Sequence, residues 1–315
     1  MIVYSMVIPI YNDAMLAESF CSEFKKVFVN YLNKETIEDE VELIFINDGS
    51  LNDSYNQLKI ICDKFHFAKA IDLSRNFGQH IALTCGYEHS KGEYIGMMNV
   101  DMQEHPKEII KYLNYFKSNE VDIVLGLRES RGDRYINSMT SKLFTLLLNK
   151  LTGDTTPVNS STLRVMNRRF LTAYLSLREK SRYLPALENW LGFKRGYVTI
   201  EHKERTFGKS TYTLRKRWGM AYEAITSFSD LPLRIATRAG FLIALIGFIL
   251  MTVLIIKKLF FIPFQPGYSS TISIIIFLSG VQIMFIGMAS IYIGRIFREV
   301  QGRPLYIVRE THNLK

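Results

Sequence analysis

Four short clusters of polar residues each follow an apolar segment in the first third of the chain. The clusters are Pro9-Ile10-Tyr11-Asn12-Asp13, Asn47-Asp48-Gly49-Ser50, Ser74-Arg75-Asn76 and Asn99-Val100-Asp101-Met102-Gln103. Any one of them could be a turn or a helix cap, because Asn, Asp, Gly and Ser favour both. Four in succession indicate a ligand-binding site rather than four unrelated turns.

The segments around these clusters alternate between strand-like and helical patterns. The apolar, strand-like segments are 3–10, 41–48, 67–74, 94–101 and 122–128, and the helical stretches are 15–33, 53–65, 78–90 and 107–117. Continuous apolar strands joined by helices predict an α/β fold with a mainly parallel sheet covered on both faces. Ligands bind at the carboxyl ends of the strands in such sheets, so we expect the four clusters at one edge.

Two uncharged apolar segments lie near the C-terminus, at residues 239–256 and 271–294. Each is close to the roughly 20 residues needed to cross a hydrocarbon core, so we predict two transmembrane helices joined by a short loop at 257–270. The alternative, a buried core helix, is disfavoured because globular helices seldom run this long without a polar face. This predicts a multi-pass membrane protein.

The basic residues predict the orientation of these segments. The flanks of the pair carry more Lys and Arg than the loop, which has Lys257 and Lys258, so by the positive-inside rule both termini face the cytoplasm. The N-terminus lacks the basic region and the long apolar core of a signal peptide, and the large N-terminal domain is expected to stay inside.

The formal net charge of the 315-residue chain is +9. Much of the excess lies at 203–238, which mixes basic and aromatic residues and predicts an amphipathic region on the membrane surface. That placement favours anionic lipid or phosphate over nucleic acid as the partner. Cys21, Cys62 and Cys85 are odd in number and form no metal-binding pattern, so we interpret them as reduced core thiols.

Eight motifs, in order, resemble those of the polyprenyl-phosphate glycosyltransferases of glycosyltransferase family 2, which include dolichyl-phosphate mannose synthase and bacterial undecaprenyl-phosphate sugar transferases. They are VIPIYND at 7–13, INDGS at 46–50, LSRNFGQHIALTCGY at 73–87, NVDMQEHP at 99–106, GLRESRGDR at 126–134, ERTFGKSTY at 204–212, SFSDLPLR at 227–234 and IGRIFREVQGRPLYIV at 293–308. The resemblance spans nearly the whole chain. It implies a Rossmann-like GT-A domain at 1–202, a juxtamembrane region at 203–238, the two transmembrane helices, and a cytoplasmic tail at 295–315.

The resemblance also implies where a nucleotide-sugar donor binds. In similar enzymes the segments after the first two strands hold the nucleoside, which here would be Pro9, Tyr11, Asp13 and Asp48. Asp13 replaces the usual Glu of the family, which keeps a hydrogen-bond acceptor but shortens its reach.

The motif after the fourth strand, usually Asp-x-Asp-x-Gln, implies an Mg²⁺ or Mn²⁺ site. Its ligands here would be Asn99, Asp101 and Gln103, with Val100 also at the donor. Asn99 replaces the first Asp of the motif, which removes one formal charge, but its amide oxygen can still bind a hard cation.

Basic residues would bind the phosphates of both substrates. Arg128 lies where similar enzymes place a phosphate-contacting Arg, and it joins Asp101 as a predicted catalytic residue. Arg131 and Lys142 are its companions, although a solvated basic face remains the alternative for these two. The lipid phosphate would be bound by Arg205, Lys209 and Ser210.

The acceptor loop departs from the family pattern. Many relatives carry an Asp just before a Phe-Arg or Leu-Arg pair, whereas residues 158–164 read VNSSTLR without a carboxylate. Asp154 is the nearest candidate, but a turn in TGDTTP is the favoured interpretation. Either a general base is dispensable, since a phosphate nucleophile is already an anion at pH 7, or this chain differs in acceptor or activity.

The expected reaction is an inverting transfer of a sugar from a nucleotide-diphosphate donor to a polyprenyl (undecaprenyl or dolichyl) phosphate at the inner membrane. Its product would serve modification of cell-envelope glycans such as lipopolysaccharide. The likeness also implies a homo-oligomer, such as a tetramer.

Two alternatives stay open. A processive polysaccharide synthase would need more membrane segments and a Gln-x-x-Arg-Trp signature, whereas Leu214 stands where the Gln would precede Arg217-Trp218. A catalytically idle membrane scaffold is the second, motivated by Asn99 and by the carboxylate-free acceptor loop.

Overall fold

The computed structural model describes residues 1–128, 157, 160–180, 182–201, 231–260 and 267–314. The chain divides into two units, one formed by Met1–Arg217 with Arg303–Lys315 and the other by Trp218–Gly302. Residues 303–315 of the predicted C-terminal tail therefore belong with the N-terminal domain, whereas residues 295–302 belong to the second unit.

The first unit alternates strands and helices as the sequence predicts. Its strands within the described ranges are β1 Tyr4–Ile10, β2 Val41–Asn47, β3 Ala68–Leu73, β4 Tyr94–Met97, β5 Ile123–Arg128, β6 Ser160–Asn167, β7 Arg195–Ile200 and β8 Val308–His312. Its α-helices there are α1 Ala17–Leu32, α2 Ser54–Lys64, α3 Gln79–His89, α4 Lys107–Ser118, α5 Arg168–Ser176 and α6 Leu184–Trp190, and a short 3₁₀ helix spans Ala14–Leu16.

The described strands form one mixed sheet in the order β7-β5-β6-β4-β1-β2-β3-β8. β1 pairs in parallel with β2 and β4, and β2 pairs in parallel with β3. β6 runs antiparallel between β4 and β5, and β8 runs antiparallel to β3. The predicted α/β fold is confirmed, but the sheet is less parallel than expected because two strands from later in the chain insert in the opposite direction.

Helices cover both faces of the sheet, which explains why its central strands are buried and mostly apolar. All seven residues of β2 are buried. On one face, Phe20, Phe24 and Phe28 of α1 project at helical spacing into the main core cluster. On the other, α3 approaches so closely that a Cβ on Gly86 would lie 2.2 Å from Cγ1 of Val7.

The three cysteines are free and buried, as the sequence predicts. Burial raises the pKa of the Cys62 and Cys85 thiols to about 12. They remain protonated at neutral pH and act as small apolar side chains.

The second unit contains two long helices, α7 Leu231–Phe260 and α8 Tyr268–Val300. These helices include the predicted segments 239–256 and 271–294. Within the described residues, one stretch, Phe277–Val300, is long and apolar enough to cross a membrane, and the apolar stretch Ala236–Gly247 of α7 is shorter. The helices are thus confirmed as helices, while a pair of membrane spans stays a prediction.

Candidate functional site

The predicted clusters lie at one edge of the sheet, as expected. β1 to β4 run in the same direction, so Ile10, Asn47, Leu73 and Met97 end at the same side of the sheet. β5 runs the same way because both it and β4 are antiparallel to β6. This side, which we call the carboxyl edge, also receives the first residues of β6 and β8 because those strands run in the opposite direction.

The loops after β1 and β2 are bonded to each other. The backbone N–H of Asn12 donates to Oγ of Ser50 at 2.9 Å, and the N–H of Leu51 donates to Oδ1 of Asn12 at 2.9 Å. Asn12 has a φ of 64°, a left-handed conformation that Asn tolerates better than most residues. The reciprocal bonds fix the two loops as one surface.

Asp48 joins the loop after β2 to the loop after β3. Its side chain is buried, and its two oxygens accept the N–H groups of Phe77 at 2.7 Å and Gly78 at 2.9 Å. Burial raises the pKa of the Asp48 carboxyl above its usual range, while the two N–H donors and Arg75 act in the opposite direction. Asp48, which is predicted to bind the nucleoside, therefore also holds these two loops together.

Gly49 allows the loop after β2 to lie directly against the loop after β3. Its φ is +61°, and a Cβ built on it would lie 2.2 Å from the backbone carbon of Arg75 and 2.4 Å from the nitrogen of Asn76. Backbone atoms cannot rotate away as a side chain can, so no larger residue fits here without moving a loop.

The other predicted donor residues lie on the same surface. Pro9 is half-buried near the end of β1, and Tyr11 is 45% exposed. Oδ1 of Asp13 accepts the N–H of Tyr11 at 2.9 Å, which folds the segment into a tight turn. Tyr11 therefore presents its ring to solvent beside the loop of Asp48.

The predicted metal motif forms a compact turn after β4. Oδ1 of Asp101 accepts the N–H of Gln103 at 3.3 Å, and Met102 has a left-handed φ of 52°. Oδ1 of Asn99 lies 3.4 Å from Nε2 of Gln79, and Nδ2 of Asn99 donates to Oγ1 of Thr162 at 3.2 Å. Val100 is buried and anchors the turn in the core.

The side chains of this turn carry oxygen atoms, which are the ligands that hard cations prefer. Within the described ranges no group of three His, Cys, Asp or Glu residues converges, so the turn offers one carboxylate and two amide groups. Mg²⁺ commonly binds one or two carboxylates together with substrate phosphates and water. Asp101, Gln103 and Asn99 match that pattern.

A buried carboxylate, Glu104, lies directly after the motif and was not predicted. It is 4% exposed and contacts residues that are distant in sequence. Nη2 of Arg128 lies 3.4 Å from Oε1 of Glu104, and the N–H of Leu163 donates to Oε2 at 3.1 Å. The predicted catalytic Arg128 is thus held next to the metal motif.

The C-terminal strand β8 begins at the carboxyl edge, next to the end of β3. Nη1 of Arg309 lies 3.1 Å from Oδ2 of the buried Asp72, and Oδ1 of Asp72 accepts Nδ2 of Asn47 at 2.7 Å. Oδ1 of Asn47 in turn accepts the hydroxyl of Ser50 at 2.5 Å. The contact is not expected from the sequence, in which these C-terminal residues are predicted to form a tail.

Several predicted residues lie outside the described ranges. They are Arg131, Lys142, Asp154, Arg205, Lys209 and Ser210, and their roles remain predictions.

Comparisons with known proteins agree with this architecture. The family model "Glycosyl transferase family 2" matches residues 5–175. The SfII prophage-derived bactoprenol glucosyl transferase of Shigella flexneri is 33% identical over 309 residues, which cover 98% of each chain. The undecaprenyl-phosphate 4-deoxy-4-formamido-L-arabinose transferase of Proteus mirabilis is 29% identical over 314 residues, or 99% of this chain and 94% of the relative.

A solved structure shares the fold. Glucosyl-3-phosphoglycerate synthase from Mycobacterium tuberculosis, in complex with Mn²⁺, uridine diphosphate and glucosyl-3-phosphoglycerate, superposes with a TM-score of 0.50. The sequence identity is 18%, and the match covers 71% of this chain and 77% of that one. The similarity supports a shared GT-A fold.

Proposed function

The chain belongs to glycosyltransferase family 2 and is a glycosyltransferase, and on that basis we propose that its acceptor is a polyprenyl phosphate. The main support is that the bactoprenol glucosyl transferase of Shigella flexneri aligns with 98% of this chain. The similarity therefore includes the apolar helices as well as the catalytic domain. An apolar helix can hold the catalytic domain at the bilayer in which a lipid acceptor lies, whereas transfer to a water-soluble acceptor has no need of it.

We propose that a nucleoside-diphosphate sugar occupies the carboxyl edge. Pro9, Tyr11, Asp13 and Asp48 would hold the nucleoside, and Val100 would line the site beside them. Asp101, Gln103 and Asn99 would hold Mg²⁺ or Mn²⁺, which when bound neutralises charge on the diphosphate. The solved structure that shares this fold is a complex with Mn²⁺ and uridine diphosphate, which is consistent with this assignment.

The transfer step needs stabilisation of the leaving group. In the proposed reaction a phosphate oxygen of the lipid forms a bond to C1 of the sugar while the bond from C1 to the diphosphate breaks, which inverts the anomeric centre. Arg128 would contact the diphosphate, because a guanidinium has five N–H donors and can bind both Glu104 and a phosphate. Arg131 would assist it, and this electrostatic term is the main source of rate enhancement.

The nucleophile does not need a strong base. A phosphate monoester is already an anion at neutral pH, so the carboxylate-free loop at 158–164 is compatible with turnover. We propose that Arg205, Lys209 and Ser210 hold this phosphate near the bilayer, where cationic side chains attract anionic head groups.

The topology of the chain supports two membrane crossings. β8 pairs with β3 in the same sheet as the N-terminal strands, so residues on both sides of 218–302 belong to one folded domain and lie on one side of the bilayer. A segment that leaves and returns to the same side crosses an even number of times. If the Phe277–Val300 stretch of α8 spans the membrane, we propose that α7 supplies the second crossing.

A direct assay separates the candidate activities. Purified protein is incubated with a panel of nucleotide sugars, Mn²⁺ and undecaprenyl or dolichyl phosphate, and the lipid fraction is analysed by mass spectrometry. A lipid phosphate that has gained one sugar residue, and so has become a phosphodiester, supports the proposal, whereas a polymer indicates a processive synthase. Absence of both product and nucleotide binding would indicate a catalytically idle scaffold.

A further inference from the structure

Glu104 accepts hydrogen bonds at both of its oxygens. Oε1 accepts the hydroxyl of Ser161 and lies 3.4 Å from Nη2 of Arg128. Oε2 accepts the N–H of Leu163 at 3.1 Å and lies 3.4 Å from Oγ1 of Thr162. Two donors therefore face each oxygen, an arrangement that satisfies an ionised carboxylate and leaves it poorly placed to remove a proton from a substrate.

Thr162 connects Glu104 to the metal motif. Its hydroxyl has a single hydrogen, which is directed to Glu104, so its oxygen is left to accept Nδ2 of Asn99 at 3.2 Å. This polarity decides which way the Asn99 amide faces. The N–H₂ group turns to Thr162, and Oδ1, which lies 3.4 Å from Nε2 of Gln79, keeps a second lone pair for a cation.

We propose that Glu104 is a positioning residue of the transfer site, orienting Asn99 through Thr162 and holding Arg128 beside the start of β6. The inference rests on the proposed function, since it assigns Asn99 and Arg128 to the donor. The acceptor loop has no carboxylate of its own. Glu104, in the turn after β4, places a negative charge next to Ser161 and Leu163 of that loop.

The first test is Glu104→Gln. Whichever way the new amide faces, its nitrogen meets two donors and cannot accept from either. Misplaced Asn99 and Arg128 should lower kcat about 10- to 100-fold and raise the Mn²⁺ concentration needed for half-maximal rate.

Asp122→Asn is the matched control. Asp122 is also buried, and it bonds to Asn167 and Arg169 at the opposite ends of β5 and β6. This variant should keep kcat and its Mn²⁺ requirement near wild type, whatever it costs in thermal stability. Equal losses of kcat in the two variants would reduce Glu104 to a general folding role and overturn the inference.

Relocating the charge gives a sharper test. In the double variant Glu104→Gln with Thr162→Asp, the new carboxylate can accept both the Asn99 amide and the amide at position 104. In the single variant Thr162→Asp it faces Glu104 within hydrogen-bond distance and is repelled. We expect the double variant to turn over faster than either single variant, a strongly non-additive result. Additive losses would contradict the proposal.

Hydrogen exchange of the ligand-free protein separates this inference from the proposed function. If the wild type makes no lipid-linked sugar with any donor, the function fails, but the peptide covering 160–164 still reports on the Glu104 contacts. Its amides should exchange faster in Glu104→Gln than in wild type and Asp122→Asn. Unchanged exchange would refute the positioning role irrespective of activity.

Discussion

Individual side chains at the carboxyl edge bond to groups in other loops, so the loops hold one another in place. Asp48 accepts two backbone N–H groups from the loop after β3, and Asn12 bonds to the loop after β2. Backbone donors of this kind are lost only if a loop moves. Substitutions that shift a loop should therefore affect donor binding more than substitutions of equal size elsewhere.

Gly49→Ala is expected to disrupt donor binding. The added methyl group would clash with backbone atoms of Arg75 and Asn76, in addition to the cost of about 1–2 kcal/mol for a non-glycine residue in the left-handed region. Nucleotide binding by calorimetry and the thermal unfolding midpoint measure the two effects.

Gly192→Ala provides the control for backbone strain. Gly192 has a similar φ of +68°, and nothing lies within 4 Å of a Cβ built there. It should show the strain without loss of nucleotide binding. Similar nucleotide affinity in the two variants would show that the clash at position 49 is relieved.

His80, near the start of α3, should make stability depend on pH. Burial, followed by the charges of Arg164 and Arg182, lowers the pKa of His80 to about 4 from the usual 6.5. The unfolded chain takes up a proton at this residue before the folded one does, so its contribution to stability is complete above pH 6.5 and is lost as pH falls towards 4. His80→Gln should flatten that part of the stability profile.

Thermal unfolding of the purified protein between pH 4 and pH 7 checks this expectation. His66→Gln, at an exposed position, serves as the control and should follow the wild-type profile. If His80→Gln loses as much stability between pH 7 and pH 4 as the wild type does, other groups cause that loss.

Much of the carboxyl edge could be predicted from the sequence, because strand ends in a parallel sheet converge by geometry. For this reason Asp48 and Asp101 are expected at the same edge, where the structure places them. Glu104 could not be predicted, since its partners Ser161 and Leu163 lie far along the chain, on a strand whose pairing the pattern does not reveal. Contacts that depend on strand pairing over long sequence separations have no local signal.

At the scale of elements, the C-terminal strand β8 is the least expected feature. It extends the sheet next to β3, and Tyr306 just before it bonds to Glu88 of α3. The apolar rhythm predicted β1 to β5 and their helices closely, but β8 reads VRETH, which has little apolar character. An exposed edge strand needs no apolar alternation on either face, so the apolar pattern gives no sign of a strand here.

Arg309→Ala should weaken the link between β8 and the loop after β2. Without the guanidinium, a buried oxygen of Asp72 loses its partner, which costs about 1–3 kcal/mol. The loss should also loosen Asn47 and Ser50 and raise the KM for the donor. Chemical unfolding and donor kinetics measure the two consequences.

Glu310→Gln is the control on the same strand. It removes an exposed ion pair, in which Nζ of Lys59 lies 3.5 Å from Oε1 of Glu310, and such pairs are worth at most about 1 kcal/mol. Donor KM should stay at the wild-type value in this variant. An equal donor KM in Arg309→Ala and Glu310→Gln would show that the Arg309 contact of β8 does not affect donor binding.

At the scale of the whole molecule, the return of the chain to the sheet would restrict how residues 218–302 cross a membrane in the proposed arrangement. With both ends in one domain, the expected arrangement has α7 and α8 crossing in opposite directions and the connection between them on the far side. Hydropathy alone supports one of these spans within the described residues, so the strand pairing is the stronger argument.

Cysteine labelling in intact cells tests this arrangement. The native cysteines are buried, so a membrane-impermeant maleimide should report only on introduced ones. Gln265→Cys, between the helices, should react in intact cells, whereas Glu35→Cys, in an exposed turn of the N-terminal domain, should react only after permeabilisation. Reaction of both only after permeabilisation would place the connection inside.

The most direct test of the account is the mass of the lipid formed by the wild type and by Asp101→Ala, with undecaprenyl phosphate, Mn²⁺ and the preferred nucleotide sugar. The wild type should convert the lipid to a species heavier by one sugar residue, with release of the nucleoside diphosphate. Asp101→Ala should form none above background while remaining folded. A wild type that leaves the lipid unchanged with every donor, or an Asp101→Ala variant with normal turnover, would contradict it.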